Sequence, residues 1–481
     1  MAGLIEFDKN SIKRSISEVF DDYGYGSSAF DFIRSIGDVS ASIGCRVFII
    51  GGFVRDIIIR LAKTNHKTAS LFKSAYNKPF DNHLLDLDIV VEGSAEKLAL
   101  RIKENSNFKV SCLNVHKKFG TVLIEFLING MPLKADFASL RTEVYKKPGA
   151  LPTVNTEKTM LENDIRRRDF TINTIALSIN SDDFLNIKDY VFGLSDILSK
   201  KVKVLHERSF MDDSTRMFRI VRFEKRLGFK IECRTLKYMK LALDENVMDG
   251  ISGKRITAEL YLLLKEDKPW IYFERLENLG ILRGIYDKLE FSEESNAVFK
   301  KIYSYFKKNH ADKTGKNAGV DINIFYLAEI FSCLKNGDFD SAIKRLNLGN
   351  RIKNRMKKMY LESEELSKSE RGGLFKVKLK NSEIYAVFKG FDASSILFYL
   401  FKNSGKDEID LNLKKMIVRY LDELMFIKPA VNGNDIKSVG ICEGRLCGKI
   451  LNEVMLLKID GKLKSKDDEL RYIMKKYSNG K

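Results

Sequence analysis

The spacing of apolar residues changes near residue 210, and this change constrains the fold more than any other feature of the chain. Before it, short apolar runs at residues 47–50 and 85–91 alternate with segments of helical spacing, a pattern typical of buried strands joined by helices. After it, apolar residues recur at helical spacing along almost the whole remaining chain. The chain has only six prolines, which suits long helices. The sequence therefore predicts an α+β protein, with a small mixed sheet followed by an all-helical remainder.

The first half of the chain can be divided into predicted elements. We expect strands at residues 47–50, 85–91, 110–113, 121–127 and 134–138. We expect helices at 54–62 and 94–104, a loop or insertion at 63–84, a long loop at 139–163, and an Arg-rich helix beginning within 164–180.

The composition favours a nucleic-acid-binding protein of a reducing compartment. Lys and Arg number 83 against 65 Asp and Glu, a net charge of +18 that favours a polyanionic partner, although a generally basic proteome would give the same surplus. No apolar run reaches the roughly 18 residues of a membrane span, and the N-terminal residues lack the apolar stretch of a signal peptide. The six cysteines form no CxxC pair, so we expect no zinc site, no disulfide framework and a cytoplasmic location.

Two acidic residues, Asp86 and Asp88, interrupt the apolar run at residues 85–91. Residues two apart on a strand face the same side, so both carboxylates project together. Hard oxygen ligands of this kind suit Mg²⁺, and a pair of such ions would activate a hydroxyl and stabilise a leaving pyrophosphate. Taken alone, the pattern also fits an exposed edge strand with solvated acids. Asp136, on a later predicted strand, is a candidate third carboxylate or an ordinary surface acid.

A glycine pair precedes these acids and changes how they are interpreted. Gly51 and Gly52 follow a predicted strand and open a predicted helix, where backbone N–H groups can approach a phosphate closely. Arg55 could hold phosphate oxygens as a planar fork, and Asp56 follows it. A strand, a glycine turn and a helix followed by an acidic strand predicts a site in which one half holds a triphosphate and the other a metal.

These residues resemble the DNA polymerase β-like nucleotidyltransferases, and within them the class II tRNA nucleotidyltransferase and poly(A) polymerase family. The first family motif corresponds to residues 51–56 with Asp86 and Asp88, and the second to residues 167–174. A hinge motif is similar to residues 189–196, and the fourth motif to residues 212–223. One departure is that 29 residues lie between Asp56 and Asp86, more than is usual in the family.

The resemblance implies a nucleotidyltransferase head followed by helical parts. The implied boundaries are an N-terminal helical extension at 1–45, a head at 46–180, a neck with the nucleobase-reading motif at 181–285, and a tRNA-binding body and tail at 286–481. The basic stretch from Lys344 to Lys358 is a candidate RNA-binding surface or a solvated helix.

The resemblance also implies roles for individual residues. Asp86, Asp88 and Asp136 would be catalytic, with Asp86 and Asp88 as the metal ligands. Contacts to the nucleotide would come from Gly51, Gly52, Arg55, Asp56, Arg167, Arg168, Asp169, Asn173, Asp213, Arg216, Arg219 and Arg222. Asp213 and Arg216 would read the base, because a carboxylate accepts from the exocyclic amine of cytosine or adenine. The three arginines at positions 216, 219 and 222 share one helix face.

The implied activity is addition of CCA to the tRNA 3′ end from CTP and ATP with Mg²⁺, with no membrane association and no obligate protein partner. Residues 140–154 resemble the flexible loop that lets the family's pocket switch from C to A, which argues for A addition. The alternatives are an enzyme that adds only the terminal A, a poly(A) polymerase, and a non-catalytic RNA-binding protein that has kept the fold.

Overall fold

The computed structural model describes residues 7–26, 28–65, 68–72, 85–105, 109–116, 120–145, 149, 152–157, 159–311, 321–371, 379–403, 408–441 and 444–478. The chain divides into two compact units, the first formed by Met1–Glu266 with Ile271–Asp287 and the second by Asp267–Trp270 with Lys288–Lys481. Much of the predicted loop or insertion at 63–84 lies outside the described residues.

The strands belong to the first unit. They are β1 (Arg46–Ile50), β2 (Asp86–Glu92), β3 (Lys109–His116), β4 (Thr121–Ile128), β5 (Met131–Ser139), β6 (Thr142–Val144), β7 (Thr153–Asn155), β8 (Ala176–Ser178), β9 (Ile187–Lys188), β10 (Lys201–Val202) and β11 (Lys230–Ile231). A seven-stranded sheet has the order β3-β4-β5-β2-β1-β8-β9. In it β2 runs parallel to β5 and antiparallel to β1, and β3, β4 and β5 form an antiparallel meander. The predicted mixed sheet and α+β class are confirmed.

The helices of the first unit surround this sheet and continue beyond it. They are α1 (Lys9–Asp22), α2 (Ser28–Ser42), α3 (Gly52–Thr64), α4 (Ala95–Asn105), α5 (Leu161–Arg166), α6 (Gly193–Leu198), α7 (Ser209–Asp212), α8 (Arg216–Leu227), α9 (Cys233–Asp244), α10 (Gly253–Leu264), α11 (Trp270–Asn278) and α12 (Ile281–Ile285). Short 3₁₀ turns lie at Ala69–Phe72, Thr171–Asn173 and Val247–Gly250.

The core of the first unit explains the position of β1. Four of its five residues are buried, because it lies inside the sheet between β2 and β8. The N-terminal helices cover the head: Phe20 of α1 packs on Phe53 of α3, and Phe32 of α2 packs edge-to-face on Phe126 of β4. A side chain at Gly37 would meet the backbone oxygen of Ile179 at 1.9 Å, so α2 lies directly against the end of β8.

Three predictions of local structure need correction. The predicted loop at 139–163 contains an antiparallel hairpin, β6–β7. The Arg-rich helix predicted within 164–180 ends at Arg166, because Phe170 is fully buried in extended backbone and bridges Val204. The neck is not wholly helical, since β10 and β11 pair in parallel within it.

The second unit is helical in its described residues. Its helices are α13 (Glu293–Ala311), α14 (Ile322–Phe331), α15 (Asn336–Arg345), α16 (Asn350–Arg371), α17 (Asn381–Phe388), α18 (Ala393–Asn403), α19 (Glu408–Asp422), α20 (Gly433–Ser438), α21 (Gly444–Ile459) and α22 (Lys466–Ile473), with a 3₁₀ turn at Leu424–Phe426 and a π-helical turn at Met474–Ser478. Most residues of α14 and α18 are buried, so these two helices supply much of its core.

Among the described residues, no single helix is long and apolar enough to cross a membrane. The consecutive helices α17 and α18 reach that length and composition only together, and the chain bends by 100° between them.

Candidate active site

Three carboxylates lie side by side at one end of the sheet. Asp86 and Asp88 are exposed on β2, while the intervening Leu87 and the following Ile89 are buried on the opposite face. Asp136 on β5 is paired with Asp88 in the parallel register, so it shares the face of the other two acids. The parallel pairing of β2 and β5 therefore brings together all three acids that the sequence singled out.

The surroundings of these acids favour their neutral forms. Asp88 keeps an exposed edge, yet protein atoms crowd its carboxyl group, and this loss of hydration, reinforced by the charges of Asp136 and Asp86, raises its pKa to about 6. Loss of hydration also raises the pKa of Asp86 and of Asp136, the latter with a contribution from Asp86. A nearby cation would relieve the repulsion between these carboxylates.

The donor set fits a divalent cation that is completed by other ligands. All three side chains offer hard carboxylate oxygens, the type that Mg²⁺ prefers, and Mg²⁺ commonly takes one or two carboxylates together with waters and substrate phosphates. Within the described part of the chain, no three Asp, Glu, His or Cys side chains converge closely enough to form a ready-made cage. The acids would therefore supply part of a coordination sphere.

The turn between β1 and α3 lies directly beside Asp88. Gly51 has a φ of 87°, and a side chain there would meet the Oδ2 atom of Asp88 at 2.7 Å. Helix α3 begins at Gly52 without a side-chain cap, so its first N–H groups are available to an anion. Only glycine allows this turn to approach the acidic strand so closely.

Arg55 and Asp56 follow this turn in α3, and both are buried. Arg55 is 5 % exposed; its Nε donates to Asp56 at 2.7 Å and its Nη1 donates to the Asn173 side-chain oxygen at 2.8 Å. Its guanidinium also stacks over Phe223 at 5.1 Å. Arg55, Asp56 and Asn173 thus form a buried network, and their direct contact with a nucleotide stays a prediction.

A second network connects the second and fourth motifs. Arg219 of α8 donates to Asp169 through Nε and Nη2 at 3.0 and 2.7 Å, and Asn173 donates to the same carboxylate at 3.3 Å. Burial alone would raise the pKa of Asp169, but the charge of Arg219 and its hydrogen bonds hold that pKa below the usual range. Asp169 therefore joins the second motif to helix α8.

Arg167 and Arg168 share one acid that sequence reasoning missed. Asp164 is fully buried and accepts from Arg168 at 2.8 and 3.0 Å and from Arg167 at 2.5 and 3.0 Å. Arg167 also donates to Glu143 of β6 at 2.8 Å, which ties the hairpin to the second motif. The spacing of three and four residues from Asp164 to the two arginines was a readable signal, because such positions are neighbours on a helix.

The residues of the fourth motif form separate contacts. Arg216 is 5 % exposed and donates to the Ser209 hydroxyl at 2.6 Å and to the Arg167 carbonyl at 2.8 Å. Arg222 donates to the buried Glu266 at 2.6 Å. The three arginines predicted to form one stripe thus have three different partners.

Asp213 accepts hydrogen bonds from Thr215 and from Arg255. One of its oxygens, Oδ1, accepts from the Thr215 hydroxyl at 2.7 Å and from Arg255 of α10 at 2.8 Å. Arg255 also donates to the Gly149 carbonyl at 3.2 Å. Arg255 was not among the predicted site residues, because no sequence pattern indicates that a residue so far along the chain pairs with Asp213.

Known families and proteins match this arrangement. The family described as the poly A polymerase head domain matches residues 47–203, and the one described as a probable RNA and SrmB-binding site of polymerase A matches residues 228–291. The A-adding tRNA nucleotidyltransferase of Geobacter sulfurreducens is 31% identical over 443 residues, which are 91% of this chain and 46% of that protein.

A second relative and a solved structure agree with these matches. The A-adding tRNA nucleotidyltransferase of Aquifex aeolicus is 28% identical over 85% of this chain and 44% of its own length, so the chain spans about half the length of these curated relatives. A CCA-adding enzyme in its apo form II shares the fold, with a TM-score of 0.74 and 24% identity over 96% of this chain and 98% of that one. Residues 47–203 thus carry the poly A polymerase head domain, and the chain is similar along most of its length to tRNA nucleotidyltransferases.

Proposed function

We propose that the chain is a template-independent tRNA nucleotidyltransferase that adds C and A to the tRNA 3′ end from CTP and ATP. The observation that carries this proposal is the meeting of Asp86, Asp88 and Asp136 on one sheet face beside the Gly51 turn. A cluster of acids beside the uncapped start of a helix suits a nucleoside triphosphate with its cations.

The proposed mechanism assigns each half of the site a task. Asp86 and Asp88 would hold divalent cations such as Mg²⁺, which, when bound, supply charge stabilisation for the transferred phosphate and the leaving pyrophosphate. The Gly51–Gly52 turn and the first N–H groups of α3 would orient the triphosphate. Asp136, whose pKa is raised by burial, would accept the proton that the attacking 3′ hydroxyl of the RNA loses.

Selection of the base would rest on Asp213 and Arg216. A carboxylate accepts from the exocyclic amine of cytosine or adenine, and a guanidinium donates to their ring nitrogen or carbonyl acceptors. Guanine and uracil present the opposite pattern at this edge, and their entry would leave buried polar groups unpaired. The bond from Arg216 to the Ser209 hydroxyl fixes its guanidinium in advance.

A second candidate function is addition of the terminal A alone. The relatives from Geobacter sulfurreducens and Aquifex aeolicus are both A-adding enzymes, and both align with most of this chain. In that case the natural acceptor would be a tRNA that already ends in CC.

Primer extension distinguishes the two candidates. Three tRNA transcripts that end before CCA, after C and after CC are incubated with CTP, ATP or both in the presence of Mg²⁺. Growth of the first transcript to a full CCA end supports the first candidate, while extension of only the CC-ended transcript, by one A, supports the second. No extension of any transcript, with a poly(A) primer elongated instead, would contradict both.

A further inference from the structure

Glu259 of α10 has a carboxylate oxygen without a hydrogen-bonding partner among the described residues. This atom, Oε2, is buried and accepts no hydrogen bond from any of them. Burial raises the pKa of Glu259, and the charge of Asp213 adds to that rise. The charges of Arg219, Arg222 and Arg255 oppose it. A buried carboxylate oxygen left unsatisfied costs free energy, so its retention needs an explanation.

Two of the neighbouring arginines already have their own acids. Arg219 binds Asp169 through two hydrogen bonds, and Arg222 binds Glu266 at 2.6 Å. Neither needs Glu259 as its main partner. Arg255 differs from them, because the acid that it binds is Asp213, the residue that the proposed function assigns to the base.

The hydrogen bonds that Asp213 already accepts bear on how it could bind a base. Its Oδ1 atom already accepts from Arg255 and from both the amide and the hydroxyl of Thr215. A base amine that binds Oδ1, or a rotation of the carboxylate that turns Oδ2 toward the base, breaks the bond to Arg255. If Arg255 moved away without another acid within reach, a half-buried cation would lose its partner, and base binding would be weakened by that cost.

Glu259 is an acid one helical turn along α10 from Arg255. It follows Arg255 by four residues on α10, the spacing at which two side chains meet on one helix face. We propose that Glu259 is a positioning residue, which receives the guanidinium of Arg255 when Asp213 turns to the nucleobase. This inference rests on the proposed function, since it takes Asp213 to be the base-reading acid.

The exchange also changes the contact of Arg255 with residue 149. In the present arrangement one Arg255 nitrogen holds the Gly149 carbonyl while the other holds Asp213. A guanidinium that moves toward Glu259 releases both acceptors together. Base binding at Asp213 and release of the Gly149 carbonyl are thereby a single event.

The test is a double-mutant cycle between Glu259 and Arg255, read out as ATP and CTP affinity and as KM and kcat for transfer. We expect Glu259→Ala to weaken nucleotide binding and raise KM about tenfold with little change in kcat, because it removes a charged hydrogen-bond acceptor. Glu259→Gln, which keeps an acceptor oxygen, should show a smaller loss. Glu245→Ala, an exposed acid on the preceding segment, is the matched control and should match the wild type.

The Arg255→Ala background separates this role from a merely structural one. Without Arg255 no exchange is needed, so Glu259→Ala should then have no further effect. An equal loss in both backgrounds, or no loss in the wild-type background, would overturn the proposal. Thermal melting checks that each variant is folded. A wild-type chain that binds nucleotide but extends no tRNA would contradict the proposed function, while the affinity cycle would still decide the exchange.

Discussion

Four arginines of the second and fourth motifs are paired with acids within the folded chain. Arg167 and Arg168 share Asp164, Arg219 binds Asp169, and Arg222 binds Glu266. Such pairs hold long side chains in one geometry, so the ordering cost is met on folding and not on binding. At the scale of single residues, the site is prearranged mainly through its carboxylates.

Asp164 should contribute stability that depends on pH. Although burial alone would raise it, the charges of Arg168 and Arg167 hold the pKa of Asp164 below its usual range. This contribution is present above the unfolded pKa of about 4 and is lost as the pH falls through the folded value. We expect Asp164→Asn to lower the free energy of unfolding by about 3 kcal/mol at pH 7.

Denaturant unfolding between pH 7 and pH 2 measures this prediction. The difference between wild type and Asp164→Asn should shrink in acid, where the wild-type carboxylate is also neutral. Glu162→Gln is the control, because Glu162 forms an exposed pair with Arg166 in the same helix and should change stability little. A difference that stayed constant with pH would contradict the assignment.

Phe192 adopts a backbone conformation that a bulky residue rarely takes. Its φ is 63°, so its backbone is strained. Because the residue is 75 % exposed, burial of the ring does little to offset that strain. Phe192→Gly should therefore raise the free energy of unfolding by about 0.5–1 kcal/mol, the relief of strain exceeding the added flexibility of the unfolded chain. Phe426→Gly, at another exposed phenylalanine, should lower it instead, and thermal melting of both variants decides.

At the scale of elements, hydrophobic periodicity predicted the strands that hold the acids. The alternation of Asp86 and Asp88 with apolar neighbours was sufficient to place both on one strand face. The nearness of Asp136 could not be derived, because the sequence does not show that β5 pairs with β2 in parallel. The early end of α5 was missed for a similar reason: burial of Phe170 overrides the helical tendency of the arginines around it.

The Gly51 turn should be intolerant of any side chain. Gly51→Ala brings a Cβ atom to 2.7 Å from the Asp88 Oδ2 atom and adds strain at a φ of 87°. We expect a loss of about 1–3 kcal/mol in stability and a fall of about a hundredfold in transfer, as Asp88 is displaced. Single-turnover transfer and thermal melting measure the two effects.

Gly130→Ala is the matched control for the turn. Gly130 has a φ of 78° in another turn, but a Cβ atom there would meet no described atom within 4 Å. It should share the loss of stability and keep full transfer. If both variants lost transfer equally, the contact between Gly51 and Asp88 would not be the reason.

At the scale of the whole molecule, the charge of +18 predicts salt-dependent RNA binding. Within the candidate basic stretch, Lys353 and Lys357 both bind Asp340, whereas Lys344 and Arg351 are exposed on either side of the turn between α15 and α16. Lys344→Glu and Arg351→Glu should each weaken tRNA binding and lower the slope of log K against log salt by about one. Lys357→Gln should have a smaller effect, and a filter-binding salt titration compares them.

The most direct test of the account is transfer by Asp88→Asn. This variant keeps the shape of the side chain and removes one of the charges proposed to hold the cations. Nucleotide incorporation into tRNA and the tRNA Kd are measured side by side for wild type and variant. We expect transfer to fall at least about a thousandfold with an unchanged Kd. Transfer near the wild-type rate, or a loss explained entirely by weaker tRNA binding, would contradict the assignment of the catalytic centre to this end of the sheet.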